Sequence, residues 1–236
     1  MPLPKLEVPT YTTELPSTGQ TIKYRPFLVK EEKVLLTAIE SEDEKQIQDA
    51  VLSLLKSCIT SRIRLEKLAM FDLEYLFLQI RAKSVSEELE LKVICNDDET
   101  TEVDVKIDLN DVNVTKPDDH TKQVYINDSV TILMNYPSID QFIKSNFSTE
   151  QTAEEVFDLI ADCIEQIIDG DEVYEASAAS KKELVHFLES LTSKQFESVQ
   201  TFFQTMPKLK HSFKVLNPNT KVESEYTLEG LASFFG

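Results

Sequence analysis

Glycine is scarce in this chain: four residues in 236, with no tryptophan and only three cysteines and three histidines. Gly19, Gly170, Gly230 and Gly236 are scattered, which excludes a phosphate-cradling loop or a dinucleotide fingerprint, since both need clustered glycines. Cys58, Cys95 and Cys163 have no close spacing, so they form neither a disulfide framework nor the paired ligands of a zinc ribbon. Cys58 and Cys163 fall on apolar helical stripes and are expected to be buried free thiols, which fits a reducing folding compartment. No apolar run approaches membrane-spanning length. The opening Met1-Pro2-Leu3-Pro4-Lys5 has no apolar leader core, so no signal peptide is expected and no membrane partner.

Positive charge is also in short supply. The 24 Lys and Arg face 42 Asp and Glu, a formal net charge of -18. Such a surface repels phosphate backbones, so no nucleic acid is expected as a partner. It suits basic or apolar protein surfaces, although acidity also serves solubility alone. Apolar residues at 41% and charged residues at 28% are those of ordinary globular domains, not of a disordered chain.

Catalytic constellations are missing too. His120 lies in a polar loop, His186 follows Val185 on a helix, and His211 opens a strand; none has a motif partner. No nucleophile elbow appears. With so many carboxylates, a glycosidase-like pair carries no information, and the lack of tryptophan weakens a sugar-binding reading. Asn96 to Glu99 offers oxygen ligands without the spacing or central glycine of a calcium loop. The expectation is therefore no catalytic residues, no metal and no cofactor.

What is present is clear periodicity. Proline-rich residues 1 to 10 read as an extended arm carrying Leu3, Leu6 and Val8. Pro16-Ser17-Thr18-Gly19 separates Tyr11 to Leu15 from Gln20 to Arg25 as a hairpin. Val34, Leu35, Ala38 and Ile39 form one helical stripe. Ser41 with Glu44 reads as a capping box opening a second, with Ile47, Val51, Leu54, Leu55 and Cys58. Phe71 to Ile80 reads as a buried helix. Leu89 to Val93 and Val103 to Leu109 alternate with period two, joined by the acidic loop, and Val124 and Ile126 pair with Val130, Ile132 and Met134 across Asn127-Asp128-Ser129. Ser138 with Gln141, Ser148 with Gln151, Ser180 with Glu183 and Thr192 with Gln195 read as four further capping boxes.

The stripe Val156, Leu159, Ile160, Cys163, Ile164 and Ile167 predicts one helix ended by Asp169-Gly170-Asp171, with Glu175 to Ala179 as a linker. Leu184, Phe187, Leu188 and Leu191 form another helix, and Phe196, Val199, Phe202, Phe203 and Met206 a last one stopped by Pro207. Phe213 and Val215 lead through the turn Asn217-Pro218-Asn219-Thr220 to Val222, Ser224 and Tyr226. Thr227 is read as the cap of a final short helix. The fold class is α+β, a central antiparallel β unit flanked by helical segments, with N-terminal and C-terminal β-hairpins. The divisions expected are 1–84, 85–136, 137–208 and 209–236.

Several blocks taken together resemble the baseplate hub proteins of T-even-like and cyanophage-type myoviruses. They are Pro2-Leu3-Pro4-Lys5-Leu6 with Pro9-Thr10-Tyr11, and Leu15-Pro16-Ser17-Thr18-Gly19 running into Ile22 to Lys33. Phe71 to Phe77, Ile80 to Val85, Asn135-Tyr136-Pro137-Ser138 and the closing Leu228-Glu229-Gly230-Leu231 with Phe234-Phe235 complete them. The resemblance implies a non-enzymatic hub component or assembly factor whose partners are other baseplate hub proteins and the tape-measure protein. It implies a location in the host cytoplasm during assembly and in the virion tail baseplate. Relatives with cysteine pairs at hairpins like those near Cys95 and Asn217 would hold zinc; this chain lacks the pairs, so no metal is expected. Partner docking is expected at Leu3, Leu6, Tyr24, Arg25, Phe27, Phe234 and Phe235. A transient tape-measure chaperone absent from the finished virion is the alternative, and a cell-wall hydrolase using paired carboxylates is a distant third.

Overall fold

A computed structural model describes residues 6–41, 43–138 and 152–234. The chain forms two compact units. Unit 1 takes the residues up to Leu65, then Phe71–Thr115 and those from Lys208 onward; unit 2 takes Glu66–Met70 and Lys116–Pro207.

Unit 1 opens with the expected hairpin, β1 (Tyr11–Glu14) against β2 (Thr21–Tyr24). Gly19 sits at φ +69° and donates its N–H to the Leu15 carbonyl at 2.8 Å, which closes the turn. Along β2 the side chains alternate, so Ile22 and Tyr24 go into the core while Thr21 and Lys23 face water. Helices α1 (Val29–Glu40), α2 (Glu44–Cys58) and α3 (Met70–Ser84) follow. On α2 the buried Val51, Leu54, Leu55 and Cys58 keep helical spacing and define one face.

The cap of α2 is Asp43, not Ser41: the Asp43 carboxylate accepts from the N–H groups of Lys45 and Gln46 at 2.9 and 3.2 Å, and from Gln46 Nε2 at 2.9 Å. Ser41 instead closes α1, its hydroxyl donating to the Ala38 carbonyl at 2.6 Å. Aspartate is as good an N-cap as serine, and Asp43 takes the role two residues later.

Helix α3 is apolar nearly all round, with Phe71, Leu73, Leu76, Phe77, Leu78, Ile80 and Ala82 buried. Among them is Asp72, fully buried in the first turn, where a carboxylate is favoured by the helix dipole. It accepts from the Ser17 N–H at 3.0 Å and from the Ser17 hydroxyl, which ties the N-terminal hairpin turn to α3.

The period-two segments form β3 (Glu88–Ile94) and β4 (Glu102–Asp108), paired Leu89 to Ile107, Leu91 to Val105 and Val93 to Val103. On the wet face Lys106 meets Glu90 at 2.8 Å. The strands between Glu88 and Met134 are shared among three sheets. β5 (Asn113–Thr115) joins β10 (Lys208–Leu216) and β11 (Glu223–Glu229) in the order β11-β10-β5. Thr227 is a residue of β11, opposite Ser212 with the two hydroxyls 2.9 Å apart, and does not cap a helix. The short 3₁₀ turn Leu231–Phe234 follows Gly230 and buries Phe234.

Unit 2 is built on a four-stranded antiparallel sheet in the order β6 (Gln123–Tyr125), β7 (Val130–Met134), β8 (Ile164–Asp169), β9 (Glu172–Glu175). Against it belong α4 (Ala153–Asp162), α5 (Lys181–Glu189) and α6 (Ser193–Thr205). The boxes at Ser180 with Glu183 and Thr192 with Gln195 cap α5 and α6, and Thr152 with Glu155 caps α4. The Ser138 and Ser148 boxes extend into residues outside those described.

One helix was expected from Val156 to Ile167; the chain leaves the helix at Cys163 and continues as β8. Ile164, Ile167 and Ile168 are β-branched and pair into the sheet against β7, where such side chains pack well. Asp169 lies opposite Glu172, so the loop is two residues, Gly170-Asp171, with Gly170 at φ +58°. Glycine first is the pattern of a tight hairpin turn. The expected linker is the end of β9 and a 3₁₀ turn, Ala176–Ala178.

Val124, Ile132, Met134, Ile160, Cys163, Leu188, Val199 and Phe202 make one buried cluster in this unit. His120 is buried too, its ring packed in a three-ring cluster with Tyr136 and Phe202. Thr205 donates its hydroxyl to the Thr201 carbonyl at 2.7 Å, so at 3.0 Å it accepts from His120 Nδ1–H. Nε2 then accepts from the Tyr136 hydroxyl at 3.1 Å. Burial, helped by Lys116, holds the imidazole below its ordinary value of 6.5.

Two outcomes follow. Asp72→Ala leaves the Ser17 donors without their charged acceptor and lowers stability by about 1.5–3 kcal/mol in denaturant titration. His120 is neutral in the folded chain, so its contribution is complete above the unfolded value near 6.5 and is lost as pH falls toward the lower folded value. The thermal midpoint of the parent therefore drops, as pH falls below about 6.5, by more than that of His120→Asn.

Candidate functional site

The expected docking residues are distributed unequally. Tyr24, Phe27 and Phe234 are core side chains of unit 1. Arg25 is tied down: Nη2 meets Glu31 Oε1 at 2.9 Å, and Nη1 meets Glu31 Oε2 at 3.2 Å and the Pro26 carbonyl at 2.8 Å. Glu31 Oε2 also accepts from the Leu28 N–H at 2.6 Å, so the pair organises the start of α1. Its carboxyl is held below the usual range by Arg25, whose own value is raised by the same bond. Leu6 is 88% exposed on the arm. Leu3 and Phe235 lie outside the described residues.

Other apolar side chains face water where sequence reasoning did not place them. Val29 and Leu36, seven residues apart on α1, share one face and are both exposed. Val173 and Tyr174 stand exposed on β9, and Ile94, Leu216 and Val222 beside the tips of the β3–β4 and β10–β11 hairpins. Only the α1 pair had a readable signal, since Val29 lies off the stripe of Leu35 and Ala38.

The two hairpin tips are locked together. Each tip is a short turn closed by backbone bonds, Glu99 N–H to the Cys95 carbonyl at 2.8 Å and Lys221 N–H to the Asn217 carbonyl at 3.0 Å. Both Glu99 and Lys221 sit at positive φ, 56° and 66°. Between the turns stands Asp97, which accepts Asn217 Nδ2 at 3.0 and 3.2 Å and the Thr220 hydroxyl. Asn219 Nδ2 donates to Thr101 Oγ1 at 2.9 Å, and Tyr226 accepts the Asn96 N–H at 2.8 Å while donating to the Ile94 carbonyl at 3.1 Å. Asp98 caps its own turn through the Thr100 and Thr101 N–H groups and the Thr101 hydroxyl. Thr101 and Asn217 together hold the Asp98 carboxyl far below the usual range, and Asn217 then Thr220 lower Asp97.

These residues do not fit a zinc ion. The paired turns offer one thiol, Cys95, and the carboxylates beside it are spent on amides and hydroxyls. Among the described residues no three His, Cys, Asp or Glu side chains come together as metal ligands. Cys58, Cys95 and Cys163 are all free and buried, and burial pushes the Cys58 thiol up to about 11 and Cys163 up to about 12, far from a reactive thiolate. His186 is exposed beside Glu189 at 3.8 Å, and His211 stacks on Phe213. No described helix is long and apolar enough to cross a membrane. The features that offer work to another molecule are surfaces: the arm, the α1 face, the hairpin tips and β9.

Removing the central carboxylate of the tips tests the lock. In Asp97→Ala the amides of 217–222 exchange with deuterium roughly tenfold faster while those of α2 are unchanged, read by hydrogen-exchange mass spectrometry.

Comparison with curated proteins gives no match, and neither does comparison with solved structures. The family model described as T4 bacteriophage base plate protein matches residues 8–236, and the chain belongs to that family.

Proposed function

We propose that this member of the T4 base plate protein family is a non-enzymatic structural and assembly protein of the baseplate hub. It acts by contacts with other baseplate hub proteins and with the tape-measure protein, in the host cytoplasm during assembly and then in the tail of the virion. The observation that carries the reading is the match of the T4 bacteriophage base plate family over residues 8–236.

The arm supports a docking role. Residues 6–10 have no helix or strand of their own, and Leu6 presents its side chain to water. Pro9 stiffens this stretch, so ordering it on a partner costs less entropy than ordering a free tail. Tyr24, Phe27 and Phe234 contribute by holding the unit from which the arm leaves. A transient chaperone for the tape measure is the second reading, favoured by the same exposed arm, since an apolar segment on an acidic body can mask a partner's sticky helix and let it go.

Removing residues 1–10 separates docking from folding. Binding to purified baseplate hub or tape-measure proteins weakens by about tenfold or more, while the thermal midpoint shifts by less than about 2 °C. A large fall in the midpoint makes the arm part of the core, and unchanged binding removes it from the interface.

A further inference from the structure

We infer that the free edge of β9 is a strand-addition site for an extended, basic segment of a partner protein; this rests on the reading above and names the chemistry of one partner. β9 is the end strand of its sheet and pairs only with β8 among the described residues. All four of its residues are exposed. Val173 and Tyr174 point to opposite faces, at 55% and 52% exposure, so neither face of the strand is packed down.

The register fixes which backbone groups are open. Asp169 and Glu172 flank a two-residue loop, so they form the hydrogen-bonded pair of the turn. Pairs alternate in an antiparallel ladder, so Ile168 with Val173 is a non-bonded pair and Ile167 with Tyr174 is bonded. The N–H and C=O of Val173 therefore point away from β8, as does the N–H of Glu175, whose C=O caps the 3₁₀ turn Ala176–Ala178. An incoming strand meets these groups together with two exposed apolar side chains.

Charge selects the occupant. From Ser145 to Ser180 the chain has no Lys, Arg or His and ten Asp and Glu. Among the described residues, Asp169, Asp171, Glu172 and Glu175 enter no ion pair with a cation; Glu172 meets the Tyr174 hydroxyl and Glu175 the Gln166 amide at 2.7 Å. Proteins commonly guard an open edge with charged side chains, Pro or a bulge; β9 has no Pro or bulge, and its two glutamates guard it only against acidic strands. A second copy of this chain would set glutamates of one β9 against glutamates of the other, and like charges directly opposite are unfavourable. A strand alternating basic and apolar residues satisfies the ladder, the side chains and the charge at once.

The test uses the full chain and a short synthetic peptide of alternating Lys and Val, with a Glu and Val peptide as control. The Lys peptide is expected to bind, more weakly as salt rises, and to slow deuterium exchange at Val173 and Glu175. Val173→Pro removes the outward N–H without touching the β8 ladder, and is expected to lower affinity about tenfold with little change in thermal midpoint. Asp171→Lys with Glu175→Lys is expected to lower it as well, and serves if the proline variant misfolds. The inference is overturned if the Lys peptide does not bind, or binds Val173→Pro as tightly as the parent. It is overturned too if Val173 and Glu175 are already protected in the free protein, which would mean the chain covers its own edge. Hub partners that bind Val173→Pro and the parent alike, and lose both on removal of residues 1–10, sink this inference and leave the proposed function standing.

Discussion

Unit 1 depends on one short pairing, β5 against β10, with Leu209 opposite Val114 and Lys208 opposite Thr115. The unit is assembled from pieces of chain separated by nearly all of unit 2. β5 ends where the chain leaves the unit at Thr115, and β10 begins where it returns at Lys208, so the antiparallel pair sets exit and return side by side. Leu209 is fully buried there. Without the pairing, β10 and β11 lose their register with the remainder, and with it the position of the Asn217 turn against Asp97. Closing so long a loop costs entropy that grows only with the logarithm of its length, and a buried leucine with a few ladder bonds offsets it when the insertion folds by itself.

The strand partner in that long-range closure is what the sequence did not reveal. Alternation over Leu89 to Leu109 is local, and it was legible as two half-buried strands joined by a hairpin loop. The caps at Ser180 and Thr192 were legible because serine, threonine and their third-residue partners lie within one turn. Strand partners across a whole inserted unit leave no such mark, and three residues of β5 are too few to show a period. Ile160, Cys163, Ile164 and Ile167 satisfy helical spacing, but the isoleucines also suit a strand, and a short apolar run does not decide between the two. The Asp169-Gly170 pair was the signal that should have decided it, since glycine there makes a two-residue hairpin as readily as it ends a helix.

The site was legible only in kind. Absence of clustered glycines, paired cysteines and partnered histidines pointed to contacts and away from chemistry, and the family match agrees with a baseplate role. Which side chains make the contacts was not readable, because an apolar residue near a chain end or after a hairpin looks the same whether it packs inward or faces a partner. Tyr24 and Phe234 went inward because their backbones are held in place, one in β2 and the other just past β11. Val173 and Tyr174 stayed out because β9 has no neighbour among the described residues on its far side. With Leu6 exposed and an acidic edge strand, this acidic member of the base plate family offers surfaces to other baseplate proteins.

The most direct test of that account is quantitative mass spectrometry of highly purified phage particles beside the infected-cell lysate. A structural hub protein is retained in the virion at a fixed, low ratio to other baseplate proteins. Finding the chain in the lysate and not in the particles would contradict a structural role and make it an assembly factor that leaves before the tail is complete.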